Sequence, residues 1–199
     1  MRITSAKFVK SLTEGYAAFN TLLPEVALVG KSNVGKSSLI NALAQQNKLA
    51  KVSKNPGKTK LVNYFLLNDA FYLVDLPGYG YANVSKEEKA QWDARMQGYF
   101  AQSEMLRAVI LLIDIRREPT SEDIAMLEYA HYYSVPVRIV ATKADKVAKS
   151  KRKNACAHMQ KLLRSYGSEA ILPVSSEAKA GLDEFLDMLE AYLRPEEEA

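Results

Sequence analysis

Residues 30–37 read Gly30-Lys31-Ser32-Asn33-Val34-Gly35-Lys36-Ser37, a complete G-x-x-x-x-G-K-S pattern between an apolar run at 26–29 and a helix-like segment at 38–45. The pattern constrains the fold strongly, because it needs a β-strand, a tight phosphate-wrapping loop and a helix in immediate succession. Its glycines let the backbone close round an anion, so that successive N–H groups and the N-terminus of the next helix converge on a phosphate. Lys36 would set a point charge against the β- and γ-phosphates of a nucleoside triphosphate, and the Ser37 hydroxyl would ligate Mg²⁺. Gly30, Lys31, Ser32, Asn33, Val34, Gly35, Lys36, Ser37 and Ser38 are thus expected to line the cradle. The competing reading is a strand-to-helix turn that binds nothing, and the flanking strand and helix patterns speak against it.

Three later motifs bear on the choice of nucleotide. Asp75-Leu76-Pro77-Gly78 closes the apolar run 71–74, which puts Asp75 at the carboxyl end of a strand, where open α/β sheets bind ligands. A carboxylate there would hold a Mg²⁺-bound water, and the Gly78 N–H would sense a γ-phosphate. Alone, D-x-x-G is usually only a turn. Thr142-Lys143-Ala144-Asp145 ends a second strand pattern and resembles the N/T-K-x-D signature of guanine-nucleotide-binding proteins. Asp145 would accept from the guanine N1–H and exocyclic amine, a donor pair that adenine lacks. Val174-Ser175-Ser176 follows a third short strand and resembles the loop whose backbone N–H reaches the guanine O6. That motif is degenerate and adds little alone.

The strings G-K-S-N-V-G-K-S-S-L-I-N, N-P-G-K-T-K-L-V-N-Y-F, D-L-P-G-Y-G-Y-A and T-K-A-D-K, in that order, resemble the bacterial EngB (YihA) family, within the TrmE-Era-EngA-EngB-septin-like GTPases. The likeness spans roughly residues 7–193. It implies a single-domain GTPase linked to large-ribosomal-subunit assembly and to cell division and septation. By the same resemblance Thr59 is the switch threonine that completes the Mg²⁺ shell. Gly57, Lys58, Lys60 and Leu61 are expected to touch nucleotide beside it. Metal ligation would then fall to Ser37, Thr59 and, through water, Asp75, while Lys36, Asn33, Thr59 and Gly78 would carry hydrolysis. Asn33 resembles the phosphate-loop asparagine of related GTPases that hold K⁺, which makes K⁺ a candidate cofactor beside Mg²⁺. Bracing of the loop is the alternative role for Asn33.

Strand patterns fall at 25–29, 61–67, 71–75, 108–114, 137–142 and 170–173, and helix patterns at 37–45, 86–102, 122–133, 150–166 and 182–193. Ser85 with Glu88 and Thr120 with Asp123 read as capping boxes, and Asn68-Asp69 as a hairpin turn. The expected fold is an α/β three-layer P-loop GTPase domain spanning 1–199. It would have a mostly parallel six-stranded sheet with one antiparallel edge strand, helices on both faces, an N-terminal arm to about residue 20 and a frayed acidic tail at 195–199. Trp92, Met96, Tyr99 and Phe100 recur at helical spacing and read as core. The lone Cys156 has no intramolecular disulfide partner. Neither a signal-peptide apolar region nor a membrane-length run is present, so a cytoplasmic protein is expected.

Charge is polarised. Residues 26–68 hold no acid but carry Lys31, Lys36, Lys48, Lys51, Lys54, Lys58 and Lys60, and a second basic cluster runs over 143–153. Residues 177–198, by contrast, hold eight acids against Lys179 and Arg194. Such polarity fits a basic face meeting a polyanion, chiefly through backbone and shape. The alternative is lysines serving the triphosphate beside a solvated helix face. Residues 47–60 and 78–83 read as switch loops.

Two departures stand out. Ras-like enzymes place the water-orienting glutamine directly after D-x-x-G, and here that position is Tyr79, so slow hydrolysis is expected. Thr142 replaces the commoner Asn that links the base loop to the phosphate loop, and its shorter side chain suggests weaker, micromolar base binding. The expected partners are GTP or GDP and a large-subunit precursor, through rRNA and ribosomal protein, with no membrane and no DNA, and the chain is expected to be a monomer. The rival readings are a P-loop kinase of a small metabolite and a non-ribosomal septal scaffold.

Overall fold

The computed structural model describes residues 1–14, 22–51, 61–80, 85–166 and 170–194. Its centre is a run of strands buried on both faces. β2 (Glu25–Gly30) and β4 (Phe71–Asp75) are buried throughout, as is β5 (Leu106–Asp114) from Ala108 onward. Strands of this kind read as continuous apolar runs because helices cover both sides of the sheet. With β1 (Ala6–Leu12), β3 (Val62–Leu67), β6 (Val137–Thr142) and β7 (Leu172–Pro173), they form one sheet in the order β1-β3-β4-β2-β5-β6-β7. The β4-β2-β5-β6-β7 pairings are parallel, whereas β3 runs antiparallel to both β1 and β4.

The expected six strands with one antiparallel edge are therefore seven, and β3 is an interior strand. The added strand lies inside the segment expected to be an arm. Its sequence, Ala-Lys-Phe-Val-Lys-Ser-Leu, hides no apolar face, and its register shifts between Phe8 and Lys10, which blurs the period-two signal. Tertiary contacts hold it instead. The Asn68 side chain accepts from the Thr4 and Ser5 N–H groups and donates to the Arg2 carbonyl, and Ile3 is buried. The N-terminal amine lies 2.6 Å from Glu190.

Helices α1 (Lys36–Leu43) and α5 (Leu182–Leu193) pack on one face through Leu39, Ile40, Leu43, Phe185 and Leu189. Helices α2 (Lys86–Gln102), α3 (Ser121–Tyr132) and α4 (Lys149–Leu162) pack on the other through Met96, Tyr99, Met126, Leu127, Cys156 and Met159. Alternation along β2 serves both layers, with Val26 and Leu28 in the first core and Ala27 and Val29 in the second. Both caps form as expected. Ser85 Oγ accepts from the Glu88 N–H at 3.1 Å, and Asp123 accepts from the Thr120 N–H at 2.8 Å. Asn68 and Asp69 have φ of 53° and 50°, the left-handed pair that a two-residue hairpin turn requires. Trp92 is half-buried against the α2–α3–α4 core, and Cys156 is a buried small hydrophobe whose thiol is pushed up by burial. Among the described residues, no helix is long and apolar enough to cross a membrane.

Candidate nucleotide site at the carboxyl edge of the sheet

The parallel strands end side by side, so Gly30, Asp75, Asp114, Thr142 and Pro173 line one edge of the sheet. Gly30 leaves β2 at φ 149°, and a Cβ there would lie 2.6 Å from the Leu112 carbonyl oxygen, so no side chain fits. Asn33 (φ 61°) and Gly35 (φ 118°) then bend the loop into α1. The first helical bond is Leu39 N–H to the Gly35 carbonyl at 2.9 Å, which leaves the Lys36, Ser37 and Ser38 N–H groups as first-turn donors with no backbone partner among the described residues. No acid sits in that turn, so the helix terminus presents unopposed partial positive charge to an anion. Two further loop donors are already engaged: Ser32 N–H bonds the Tyr79 carbonyl at 2.9 Å, and Val34 N–H the Lys31 carbonyl at 3.1 Å.

Lys36 Nζ donates to the Gly30 carbonyl at 3.2 Å. Burial pushes its ammonium down and the Asp75 carboxylate pulls it back up. Burial likewise raises Asp75 against the Lys36 charge and an Asn63 contact. Asp75 Oδ1 is buried with no hydrogen-bond partner among the described residues. An orphaned carboxylate oxygen near a desolvated lysine suits a hydrated divalent cation, and the half-buried Ser37 hydroxyl is the second oxygen donor. These residues fit Mg²⁺. A Cβ on Gly78 would lie 3.1 Å from Lys36 Nζ and 3.2 Å from Ser32 N, so the segment Asp75-Leu76-Pro77-Gly78 rests directly on the phosphate loop. Gly57, Lys58, Thr59 and Lys60 lie outside the described residues, as do Lys54 and residues 81–83 of the second switch. Leu61 is exposed just before β3.

At the base end, Thr142 Oγ1 lies 2.7 Å from the Val34 carbonyl oxygen. The end of β6 thus delivers the shorter threonine hydroxyl to the phosphate loop, the join that Asn more commonly makes. Lys143, itself left-handed at φ 58°, donates to the Asn33 carbonyl at 2.8 Å and lies 3.2 Å from Asp114 Oδ2. Arg116 grips the same carboxylate through Nε at 2.9 Å and Nη2 at 2.7 Å. Burial would raise Asp114, but the Arg116 bonds and Lys143 hold it well below the usual carboxylate range. Asp114 and Arg116 escaped the sequence reading, although a carboxylate at the carboxyl end of a parallel strand was the available signal.

Ala144 N–H bonds the Val174 carbonyl at 3.1 Å, which docks the base loop on the Val174-Ser175-Ser176 segment. The fully buried Ser175 donates through Oγ to Asp145 Oδ1 at 2.5 Å and accepts from Ala178 N–H at 2.9 Å. Chiefly for that reason Asp145 is held low. Its buried Oδ2 forms an ion pair with the Lys146 ammonium at 2.9 Å and has no further donor among the described residues. The serine motif that looked degenerate thus orients the Asp145 carboxylate. Of the second basic cluster, Lys146, Lys149, Lys151 and Lys153 are exposed, while Arg152 is turned back onto the Val147 carbonyl.

Residues 25–143 match the family described as 50S ribosome-binding GTPase. The chain is 45% identical to the probable GTP-binding protein EngB of Exiguobacterium sibiricum, over 92% of this chain and 95% of that one. In three dimensions it is similar to a crystal structure of a probable GTP-binding protein EngB, with a TM-score of 0.66 at 20% identity over 85% of this chain and 98% of the other. It is also similar to Era solved with MgGDPNP and a 16S ribosomal RNA segment, with a TM-score of 0.67 at 23% identity over 90% of this chain and 60% of Era. At those identities the two structures speak for the fold.

Proposed function

The chain belongs to the EngB family of GTP-binding proteins, within the ribosome-binding GTPases, and from that premise we propose that it is a slow GTPase switch acting in assembly of the large ribosomal subunit. The observation that carries the guanine reading is Asp145, oriented by buried Ser175 through one oxygen while the other meets only the Lys146 ammonium among the described residues. A carboxylate so presented accepts from guanine N1–H and N2 amine. A P-loop metabolite kinase has no use for that arrangement.

Lys36 and the first-turn N–H groups of α1 neutralise the phosphates, and their charge is worth most where burial excludes water. Ser37, Asp75 through water, and Thr59 would hold Mg²⁺, which would supply neutralisation of phosphate charge. Gly78 N–H reads the γ-phosphate. Hydrolysis is slow because Tyr79, where an orienting glutamine would serve, keeps its hydroxyl bonded to Asp123. Asn33 contributes either by holding K⁺ or by bracing the loop.

In the GTP state the lysine-rich segment that includes exposed Lys51 would meet rRNA and ribosomal protein on a large-subunit precursor in the cytoplasm, the chain acting as a monomer. A requirement in normal cell division and septation belongs to the same proposal. Sucrose-gradient sedimentation of lysate tests it. Co-migration with large-subunit particles is expected with a non-hydrolysable GTP analogue, is lost with GDP, and falls steeply with salt as counterions rebind. Equal co-migration with both nucleotides, insensitive to salt, overturns the switch and favours a constitutive protein contact.

A further inference from the structure

The residue after D-x-x-G is tied to a different element. Tyr79 is 6% exposed, and its hydroxyl donates to Asp123 Oδ1 at 2.6 Å inside the core shared by α2, α3 and α4. The other oxygen of the same carboxylate accepts from the Thr120 N–H at 2.8 Å and the Thr120 hydroxyl at 3.0 Å, so Asp123 caps α3 with one oxygen and holds Tyr79 with the other. Trp92 of α2 closes the arrangement. Its Nε1 donates to the Pro77 carbonyl at 3.0 Å, and its ring meets that of Tyr79 edge to face at 5.8 Å between centroids.

On the other side the same segment leans on the phosphate loop. The Tyr79 carbonyl accepts from Ser32 N–H, Lys31 and Tyr79 form a parallel bridge that prolongs the sheet, and the Lys31 stem fills the space where a Cβ on Gly80 would stand. Gly78, one residue before Tyr79, is thereby fixed between Lys36 and Ser32 on one side and a buried tether on the other.

We infer that Tyr79 and Asp123 are a positioning pair, which aims the Gly78 N–H at the γ-phosphate and joins that position to the N-terminus of α3. The inference rests on the guanine-nucleotide reading above and deepens it. On that reading Gly78 meets only the third phosphate, so the tether would act on triphosphate and be silent toward diphosphate. A Gly78 held in place loses no conformational freedom when the phosphate arrives, whereas an untethered one must be ordered at that moment. Coupling between sites is reciprocal, so γ-phosphate held at Gly78 stabilises the Tyr79–Asp123 bond and with it the first turn of α3.

The test is a pair of titrations, with GDP and with a non-hydrolysable GTP analogue, on wild type, Tyr79→Phe, Asp123→Ala and the double variant. Tyr79→Phe is expected to lower affinity for the analogue roughly tenfold, from loss of a bond to a charged acceptor, and to leave GDP within about twofold. The double variant is expected to shift the analogue-to-GDP ratio no further than the larger single change, because both remove one bond. A Tyr79→Phe protein with an unchanged ratio, or with both nucleotides weakened alike, overturns the inference and leaves Tyr79 a core residue. That variant keeps Asp123 on the α3 cap, so it decides the matter even if Asp123→Ala does not fold. Wild-type protein that binds adenine nucleotides as well as guanine ones overturns the guanine reading itself, a result distinct from an unchanged ratio.

Discussion

Ser175 Oγ and Asp145 Oδ1 stand 2.5 Å apart, a bond between a residue buried to 0% exposure and the carboxylate that would read the base. The side chain of Asp145 is thus aimed from the loop after β7 as well as by Lys146 of its own loop. Asp145→Asn is expected to lower GTP affinity about a hundredfold, since a charge-assisted bond is worth on the order of 2–3 kcal/mol, and to move preference to xanthosine triphosphate, whose 2-oxo group accepts from an amide. Nucleotide titration checks both, and retained GTP preference in the variant removes Asp145 from base recognition.

Thr142 makes a prediction that separates hydroxyl from shape. Thr142→Val keeps the volume but leaves the Val34 carbonyl without its 2.7 Å donor, in a position only 5% exposed. An unpaired buried carbonyl costs about 1–3 kcal/mol, so GDP and GTP affinities should fall together, by about tenfold, with a lower Tm. Thr142→Ser, which retains the hydroxyl, should stay near wild type in both measurements.

Trp92 is the only tryptophan of the chain, bonded to Pro77 and stacked edge to face on Tyr79. Exchange of GDP for a non-hydrolysable GTP analogue should therefore change its emission, because γ-phosphate acts at Gly78 beside both partners. Fluorescence that does not change on exchange would mean that γ-phosphate is not felt at the Pro77–Tyr79 segment.

Asp114 carries a pH dependence of defined sign. Its folded-state pKa is lowered, so its contribution to stability is full above the ordinary aspartate value near 4 and is lost as pH falls from there toward the folded value. Asp114→Asn should lower the urea midpoint at neutral pH and flatten its decline between about pH 5 and pH 2. An equally steep decline in the variant would assign the acid sensitivity to other carboxylates.

The phosphate loop was legible because its chemistry is local. Gly30, Gly35, Lys36 and Ser37 are neighbours in sequence, and the positive φ values and free helix-terminal donors follow from residue types a few positions apart. The capping boxes at Ser85 and Thr120 were legible for the same reason. β1 was not, because Lys7, Phe8 and Lys10 hide no face, and the strand is held by β3 and by Asn68, some sixty positions away in the chain. Tyr79 could be read only as a missing glutamine, because its partner Asp123 already looked fully explained as a helix cap.

From the order of its motifs, the sequence alone determined a GTPase-type phosphate loop and a mostly parallel sheet with helices on both faces, and it named the residues proposed to meet phosphate and base, since these rest on short-range backbone geometry and hydrophobic period. Tertiary structure alone decided how those residues are held. It brought Ser175 to Asp145, Thr142 to Val34, Lys143 to Asp114, and Tyr79 to Asp123. The physical reason is that a buried polar group must find a partner somewhere, but which group completes it depends on how strands distant in the chain come to lie side by side.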